Sequence, residues 1–152
     1  MFGFVSQDSI RIGDGRIHDQ DFGEVLSERG PRLVDAAYDG ILGLGLEADA
    51  INGMVPPFYN MIAQAVLKEP VFGIHLAKRN STASSEITFG GFDDGHYDGE
   101  IIKIPLRRKS HWEVEFSSIA TGNQSVDLEG TGAIFDTGTP MIFLPTALAT
   151  IM

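Results

Sequence analysis

The sequence predicts an all-β fold, and three observations support this. Glycine accounts for 18 of the 152 residues, whereas about 7% is usual, and phenylalanine for 10. Most apolar residues fall in short runs or alternate with polar ones, which is the period of a strand. Hydrophobic residues make up 43% of the chain and charged residues 21%. That content is enough to build a core, so general disorder is not expected.

The N-terminal segment, residues 2–25, is predicted to form consecutive strands. Residues alternate in character from Phe2 to Ser6, and Asp14-Gly15 is a turn signal between two short runs. Residues 86–91 predict a further strand that ends at the glycine pair Gly90-Gly91.

The C-terminal half contains a strict alternation over residues 112–116. Trp112, Val114 and Phe116 are expected to face a core, while Glu113 and Glu115 face water. Three further apolar runs predict short strands: residues 101–104, 132–135 and 141–144.

One helix is predicted after Pro56 and Pro57, which are suited to a first helical turn. The apolar residues that follow have helical spacing: Phe58, Met61, Ile62, Ala65 and Val66. A second helix is predicted over residues 146–152. Residues 80–85 are rich in serine and threonine and predict an exposed loop.

The charge balance and the absence of cysteine restrict the function. The formal net charge is −10, whereas nucleic acids and anionic membranes attract basic proteins, so neither is an expected partner. The chain has no cysteine, which excludes disulfides, thiol nucleophiles and cysteine-ligated zinc. No apolar run approaches the ~20 residues that span a bilayer, and the N-terminus does not have the pattern of a signal peptide.

The most specific motif is the segment Asp136-Thr137-Gly138-Thr139. A lone Asp-Thr-Gly is most often an ordinary turn. Here two apolar runs enclose the aspartate, which predicts a buried loop tip. Burial raises the pKa of a carboxyl group unless hydrogen bonds to the anion offset it, and Thr139 and the Gly138 amide are suited to donate such bonds. This environment suits a catalytic acid.

The glycine-rich segment 38–45 has a nucleotide-binding alternative. However, its spacing is not that of a dinucleotide fingerprint, and no P-loop lysine follows it. Close packing of strands is the favoured interpretation, because glycine allows backbones to approach one another.

Seven segments occur in a fixed order along nearly the whole chain: residues 3–13, 19–22, 38–45, 55–60, 87–91, 112–114 and 135–139. This ordered set closely resembles the pepsin-like aspartic endopeptidases, most of all the fungal vacuolar type. The resemblance implies an all-β, bilobal fold of which this chain holds parts of both lobes. Residues 1–75 would be the rest of the N-terminal lobe and residues 76–152 the first part of the C-terminal lobe.

The resemblance also implies the chemistry, which is hydrolysis of a polypeptide substrate at acid pH. In the family, two Asp-Thr-Gly loops place two carboxyl groups close together, so that the pair shares one proton. The ionised member takes a proton from a water molecule, which attacks the peptide carbonyl, and the protonated member assists as an acid. The mechanism needs no metal ion or cofactor.

The resemblance assigns roles to individual residues. Asp136 corresponds to the catalytic aspartate of the second lobe, with Thr137, Gly138 and Thr139 supporting its loop. Tyr38 and Ile41 match positions that line a substrate subsite. His111 stands where the nearest relatives carry tyrosine, close to the primed side of the cleft. As residue types alone, a surface role for this histidine is favoured over substrate binding.

The chain contains only one Asp-Thr-Gly. In the family the first motif lies well upstream, so the resemblance implies an internal fragment that is inactive by itself. Activity would then need the missing half-lobes or a partner chain. The alternative is a truncated, catalytically inactive relative that acts as a binding or antigenic module.

Two sequons, at Asn80 and Asn123, are candidate N-glycosylation sites in a chain that enters the secretory route. The resemblance implies a vacuolar or extracellular location. No metal-ligand spacing is recognisable among His18, His75 and His96, so the sequence predicts no metal site.

Overall fold

A computed structural model describes residues 2–27 and 38–151. Within these residues the strands are β1 (Phe2–Ile12), β2 (Gly15–Ser27), β3 (Phe72–His75), β4 (Glu86–Phe89), β5 (Leu106–Arg108), β6 (Glu113–Thr121) and β7 (Gln124–Ile134). The helices are α1 (Pro57–Ala63) and α2 (Thr146–Ile151), and short 3-10 turns span Glu47–Asp49, Ile51–Gly53 and Asp94–His96. All the strand pairs are antiparallel. The all-β prediction is confirmed. Both helices form, but the first ends at Ala63, before the predicted Ala65 and Val66, and Ala65 has φ 54°.

Strands β1 and β2 form the long hairpin expected from residues 2–25. Ile12 pairs with Gly15, so the turn consists of Gly13 and Asp14, one residue earlier than predicted. Gly13 has φ 56°, a left-handed conformation that glycine adopts at little cost and that hairpin turns require.

Helix α1 packs against β2 and supplies most of the buried core of this region. Met61 and Phe58 are buried, as the apolar spacing predicts, whereas Ile62 of the same set is 40% exposed. Ile17 of β2 is fully buried. Gln20 is also buried, and its polar atoms are satisfied. Its Nε2 donates to the Val55 carbonyl at 2.8 Å, and its Oε1 accepts from Asn60 Nδ2 at 2.9 Å.

Strands β3 and β4 pair from Phe72 with Phe89 to His75 with Glu86. The Phe72 ring meets the Phe58 ring edge to face, at 4.9 Å between centroids, which fixes this hairpin to the helix. The connection between the two strands contains residues 80–85, which are exposed as predicted.

Strands β5, β6 and β7 form a three-stranded sheet. The prediction that Glu113 faces water is wrong, because this residue is only 5% exposed. Arg107 Nη1 lies 2.9 Å from Glu113 Oε1, and Arg108 Nε lies 3.4 Å from Glu113 Oε2. These two guanidinium groups compensate the buried charge. Glu115 faces solvent as predicted.

Two of the apolar runs that predicted strands form none. Residues 101–104 and 141–144 lie outside the described strands and are largely exposed; Ile142, for example, is 86% exposed. A short apolar run becomes a strand only where a neighbour pairs with its backbone, and no described strand does so here. Residues 132–134 belong to β7 as predicted, but Ile134 and Phe135 are exposed rather than buried.

By their internal contacts the residues form two units. The first lies within Met1–Leu44 and Ala50–Ile101, and the second within Gly45–Asp49 and Ile102–Met152. The lobe boundary near residue 75 stays a prediction. In the described part of the chain, no helix has the length and apolar character needed to cross a membrane.

Candidate active site

The Asp136 loop follows directly from the end of β7. Glu113 pairs with Ile134, and the next backbone amide, that of Phe135, donates to the Trp112 carbonyl at 3.0 Å. The chain then turns sharply, with the Thr139 amide donating to the Asp136 carbonyl at 3.2 Å. The strand pairing therefore fixes where the loop begins, and the turn fixes the direction of the aspartate.

The Asp136 carboxylate accepts two hydrogen bonds from its own loop. Thr139 Oγ1 donates to Oδ2 at 2.5 Å, and the Gly138 amide donates to Oδ1 at 2.9 Å. The Thr139 hydroxyl, then the Gly138 amide, lower the pKa of Asp136 below its ordinary value, because both bonds favour the anion. The predicted donors are therefore in place. The predicted burial is wrong, since Asp136 is exposed.

The small residues of the loop leave room for this arrangement. A Cβ on Gly138 would lie 3.1 Å from Asp136 Oδ1, which is tighter than nine in ten real Cβ contacts. A larger residue would therefore crowd the carboxylate. Thr137 is exposed beside it.

The other predicted binding residues lie in both units. Tyr38 and Ile41 belong to the first unit and are 55% and 83% exposed, so both offer apolar surface to solvent. His111 belongs to the second unit, where its Nδ1 contacts Asp49 Oδ2. Sixty-two positions separate these two residues, and no local pattern in the sequence indicates their contact.

Both sequons lie in exposed turns. Asn80 has φ 71° in the turn closed by the Ser81 amide and the Lys78 carbonyl. Asn123 lies in the two-residue turn between β6 and β7. The side chains at both positions are exposed, as an acceptor asparagine requires.

A second group of chemically active side chains lies in the first unit. Glu86, Asp93 and His96 each place one oxygen or nitrogen atom within 4.8 Å of the other two. This group was not predicted from the sequence, because only the turn after β4 brings the three residues together. The run of aspartates and a histidine just after a strand was the one available signal.

Comparison with known proteins decides the family. A sequence model of the eukaryotic aspartyl protease family matches residues 1–152. The chain belongs to this family. It is 50% identical over 153 residues to vacuolar protease A of Aspergillus fumigatus, covering 100% of this chain and 38% of that protein. Vacuolar protease A of Neurospora crassa is 49% identical over 152 residues, which cover 100% of this chain and 38% of that protein.

A more distant fungal relative, the vacuolar aspartic protease of Candida albicans, is 43% identical over 154 residues, with coverage of 100% and 37%. The chain thus spans less than two fifths of the length of these relatives. The match to the aspartyl protease family model and to fungal vacuolar proteases confirms the resemblance inferred from the seven ordered segments.

Proposed function

We propose that this chain carries one of the two catalytic aspartates of an endopeptidase that cleaves polypeptides at acid pH, and that Asp136 is that residue. One observation supports this above all. Asp136 is exposed at a tight turn, and its carboxylate is held by two neutral donors. Among the described residues no basic side chain forms an ion pair with it, so its negative charge is free for proton transfer.

The hydrogen bonds support one role for Asp136 in a pair of carboxyl groups, that of the ionised member. They favour its anionic form, because the Thr139 hydroxyl and then the Gly138 amide lower the pKa of Asp136 below its ordinary value. An ionised carboxylate serves as the base that activates water, while a second, protonated carboxyl group serves as the acid. The apparent pKa values of such a pair belong to both groups together.

The second carboxyl group comes from polypeptide outside these 152 residues, in this proposal. The chain contains one Asp-Thr-Gly only, and a two-aspartate mechanism needs two loops of this kind. The missing part is either the rest of a two-lobed protein or a partner chain. The single motif also favours a second candidate function, that of a catalytically inactive binding module.

The remaining assignments follow the same proposal. Exposed Tyr38 and Ile41 would contact the side chains of a bound polypeptide, and His111 would contact it near Asp136. The relatives are named for the vacuole, so a vacuolar or other acidic compartment is proposed here as well. A chain that reaches such a compartment through the secretory route would carry its N-glycans at Asn80 and Asn123.

A chimera tests the catalytic role. Residues 1–152 replace the matching segment of the Aspergillus fumigatus relative, and cleavage of an unfolded protein is followed at acid pH. We expect the chimera to be active and Asp136→Asn to reduce its kcat by about 10²–10⁴-fold. Asp127→Asn is the matched control, because Asp127 is an exposed aspartate on β7. The control should retain activity.

Three outcomes have distinct meanings. A folded Asp136→Asn chimera with full activity would show that Asp136 is not catalytic. Cleavage by the 152-residue chain alone, abolished by the same substitution, would contradict the need for a second loop from outside. A folded but inactive chimera would support the binding-module alternative.

A further inference from the structure

The group formed by Glu86, Asp93 and His96 brings three metal-ligating side chains close together, with one ligand atom of each within 4.8 Å of the other two. His96 Nε2 lies 3.2 Å from Glu86 Oε1 and 3.6 Å from Asp93 Oδ2. Zinc binds nitrogen and oxygen ligands at about 2.0–2.2 Å, so two ligands of a tetrahedral zinc ion lie roughly 3.4 Å apart. The two separations from His96 Nε2, 3.2 Å and 3.6 Å, lie on either side of that value.

Neighbouring groups orient two of the three side chains. The Gly95 amide donates to Asp93 Oδ1 at 2.8 Å, which turns the other oxygen, Oδ2, toward His96. The Thr88 hydroxyl donates to Glu86 Oε1 at 3.2 Å. Hydrogen bonds of this kind orient the ligands in protein metal sites.

A cavity adjoins two of the three side chains, Asp93 and His96. This cavity of about 150 Å³ is bordered by Gly73, Ile74, His75, Thr88, Phe92, Asp93, His96 and Tyr97. The His75 ring stacks on the His96 ring, with centroids 3.9 Å apart and planes at 13°, and so fixes the plane of the imidazole. The three ligand side chains are 29–49% exposed, so an ion can reach them from solvent.

The charges of the group also match a divalent cation. Two carboxylates and one neutral imidazole carry a charge of −2. Among the described residues, His96 is the only basic side chain within ion-pairing distance of Glu86 or Asp93. Imidazole nitrogen favours zinc and similar transition metals, whereas magnesium and calcium favour oxygen ligands alone.

We propose that Glu86, Asp93 and His96 bind a divalent transition-metal ion of the zinc type, with water completing the coordination from the cavity. The ion would join the start of β4 to the turn that follows it. The site lies entirely within the first unit, and it is independent of the peptidase function proposed for Asp136.

Titration of the 152-residue chain tests the site. Zinc chloride is added at pH 7.5 in a calorimeter, and cobalt chloride is added in parallel, since tetrahedral cobalt has strong visible absorption. We expect one saturable site per chain. His96→Gln and Glu86→Gln should each weaken zinc binding at least tenfold.

Two control variants make the test specific. Asp94→Asn removes an acidic residue from the same turn whose carboxylate accepts from Tyr97 instead. His111→Gln removes the histidine that contacts Asp49. Both should bind zinc within about threefold of the parent chain, a change below the ligand effect. Circular dichroism checks that every variant keeps its strands.

The proposal is wrong if the parent chain shows no saturable binding of zinc or cobalt below 1 mM, a limit on the order of the weakest specific sites. It is equally wrong if Asp94→Asn or His111→Gln reduces the affinity as much as His96→Gln does. In that case the ion is adventitious, and His96 serves only as an ion-pair partner of the two carboxylates.

Discussion

Glu113 and Asp136 are two carboxylates near the same end of the β6–β7 pairing, and their environments are opposite. Glu113 is buried, and it is paired with the guanidinium groups of Arg107 and Arg108. Asp136 is exposed, and it accepts hydrogen bonds from a neutral hydroxyl and a neutral amide. The first carboxylate is neutralised by its neighbours, whereas the second keeps its full negative charge.

The difference indicates which carboxylate is structural and which is suited to chemistry. The hydrogen bond from Arg107 to Glu113 is the largest cause that raises the pKa of Arg107. The Glu113 carboxylate therefore stabilises the charged form of Arg107. Removing either partner of such a buried pair is destabilising, because it leaves the other charge without compensation. A carboxylate with neutral donors can still accept a proton, as a catalytic base must.

The largest stability effect is expected at Glu113. Glu113→Gln should lower the free energy of unfolding by about 2 kcal/mol, because it leaves Arg107 and Arg108 without their buried partner. Asp136→Asn should change it by less than about 0.5 kcal/mol, because the side chain is exposed. Urea unfolding of both variants at pH 7 measures this. Equal losses of unfolding free energy in the two variants would contradict the view that Glu113 is structural and Asp136 is not.

A smaller effect is expected at Gly132, which lies under the Glu113 side chain. A Cβ at this position would lie 2.6 Å from Glu113 Cδ and 2.7 Å from Cγ. Gly132→Ala should therefore displace Glu113 and destabilise the chain by about 1–2 kcal/mol. Gly23→Ala on β2 is the matched control, because nothing lies within 4 Å of that Cβ.

The Gly132 effect should depend on Glu113. In a Glu113→Ala background the clash is absent, so Gly132→Ala should cost little. The coupling energy in the double-mutant cycle should be about 1 kcal/mol. Additive losses would mean that Gly132 is needed for a reason other than space for Glu113.

Local patterns predicted much of the fold. The helical spacing of Phe58 and Met61 predicted α1, and the turn residues near Asp14 predicted the first hairpin. The buried position of Glu113 could not be predicted, because it depends on Arg107 and Arg108 from the neighbouring strand. The strands predicted at residues 101–104 and 141–144 were wrong for the same reason, since an apolar run does not specify its pairing partner.

The candidate sites divide in the same way. The hydrogen bonds of Asp136 come from residues two and three positions along the chain, so the sequence alone predicted them. Its exposure was not predicted, because burial depends on distant packing. The contact of His111 with Asp49 and the grouping of Glu86 with His96 also depend on how the chain folds back on itself.

The smallest effect on stability is expected at Thr139. It tests whether the neutral hydroxyl of this residue stabilises the Asp136 anion, as the charged arginines stabilise Glu113. Thr139→Val removes the largest cause that lowers the pKa of Asp136, while the Gly138 amide remains. The pKa should therefore rise toward its ordinary value. Thr139→Ser keeps a hydroxyl and should leave the pKa close to that of the parent chain. A carbon-13 NMR titration of the Asp136 carboxyl group measures its pKa in the parent chain and in both Thr139 variants.

The sign of the stability effect follows from the same shift. The pKa of Asp136 is lower in the folded chain than in the unfolded chain. Its ionised form therefore stabilises the fold above the ordinary aspartate pKa, and this contribution is lost as the pH falls through the folded-state value. Thr139→Val should reduce the acid dependence of unfolding, and Thr139→Ser should not. An equal change in both variants would show that the hydroxyl is not the group that holds the anion.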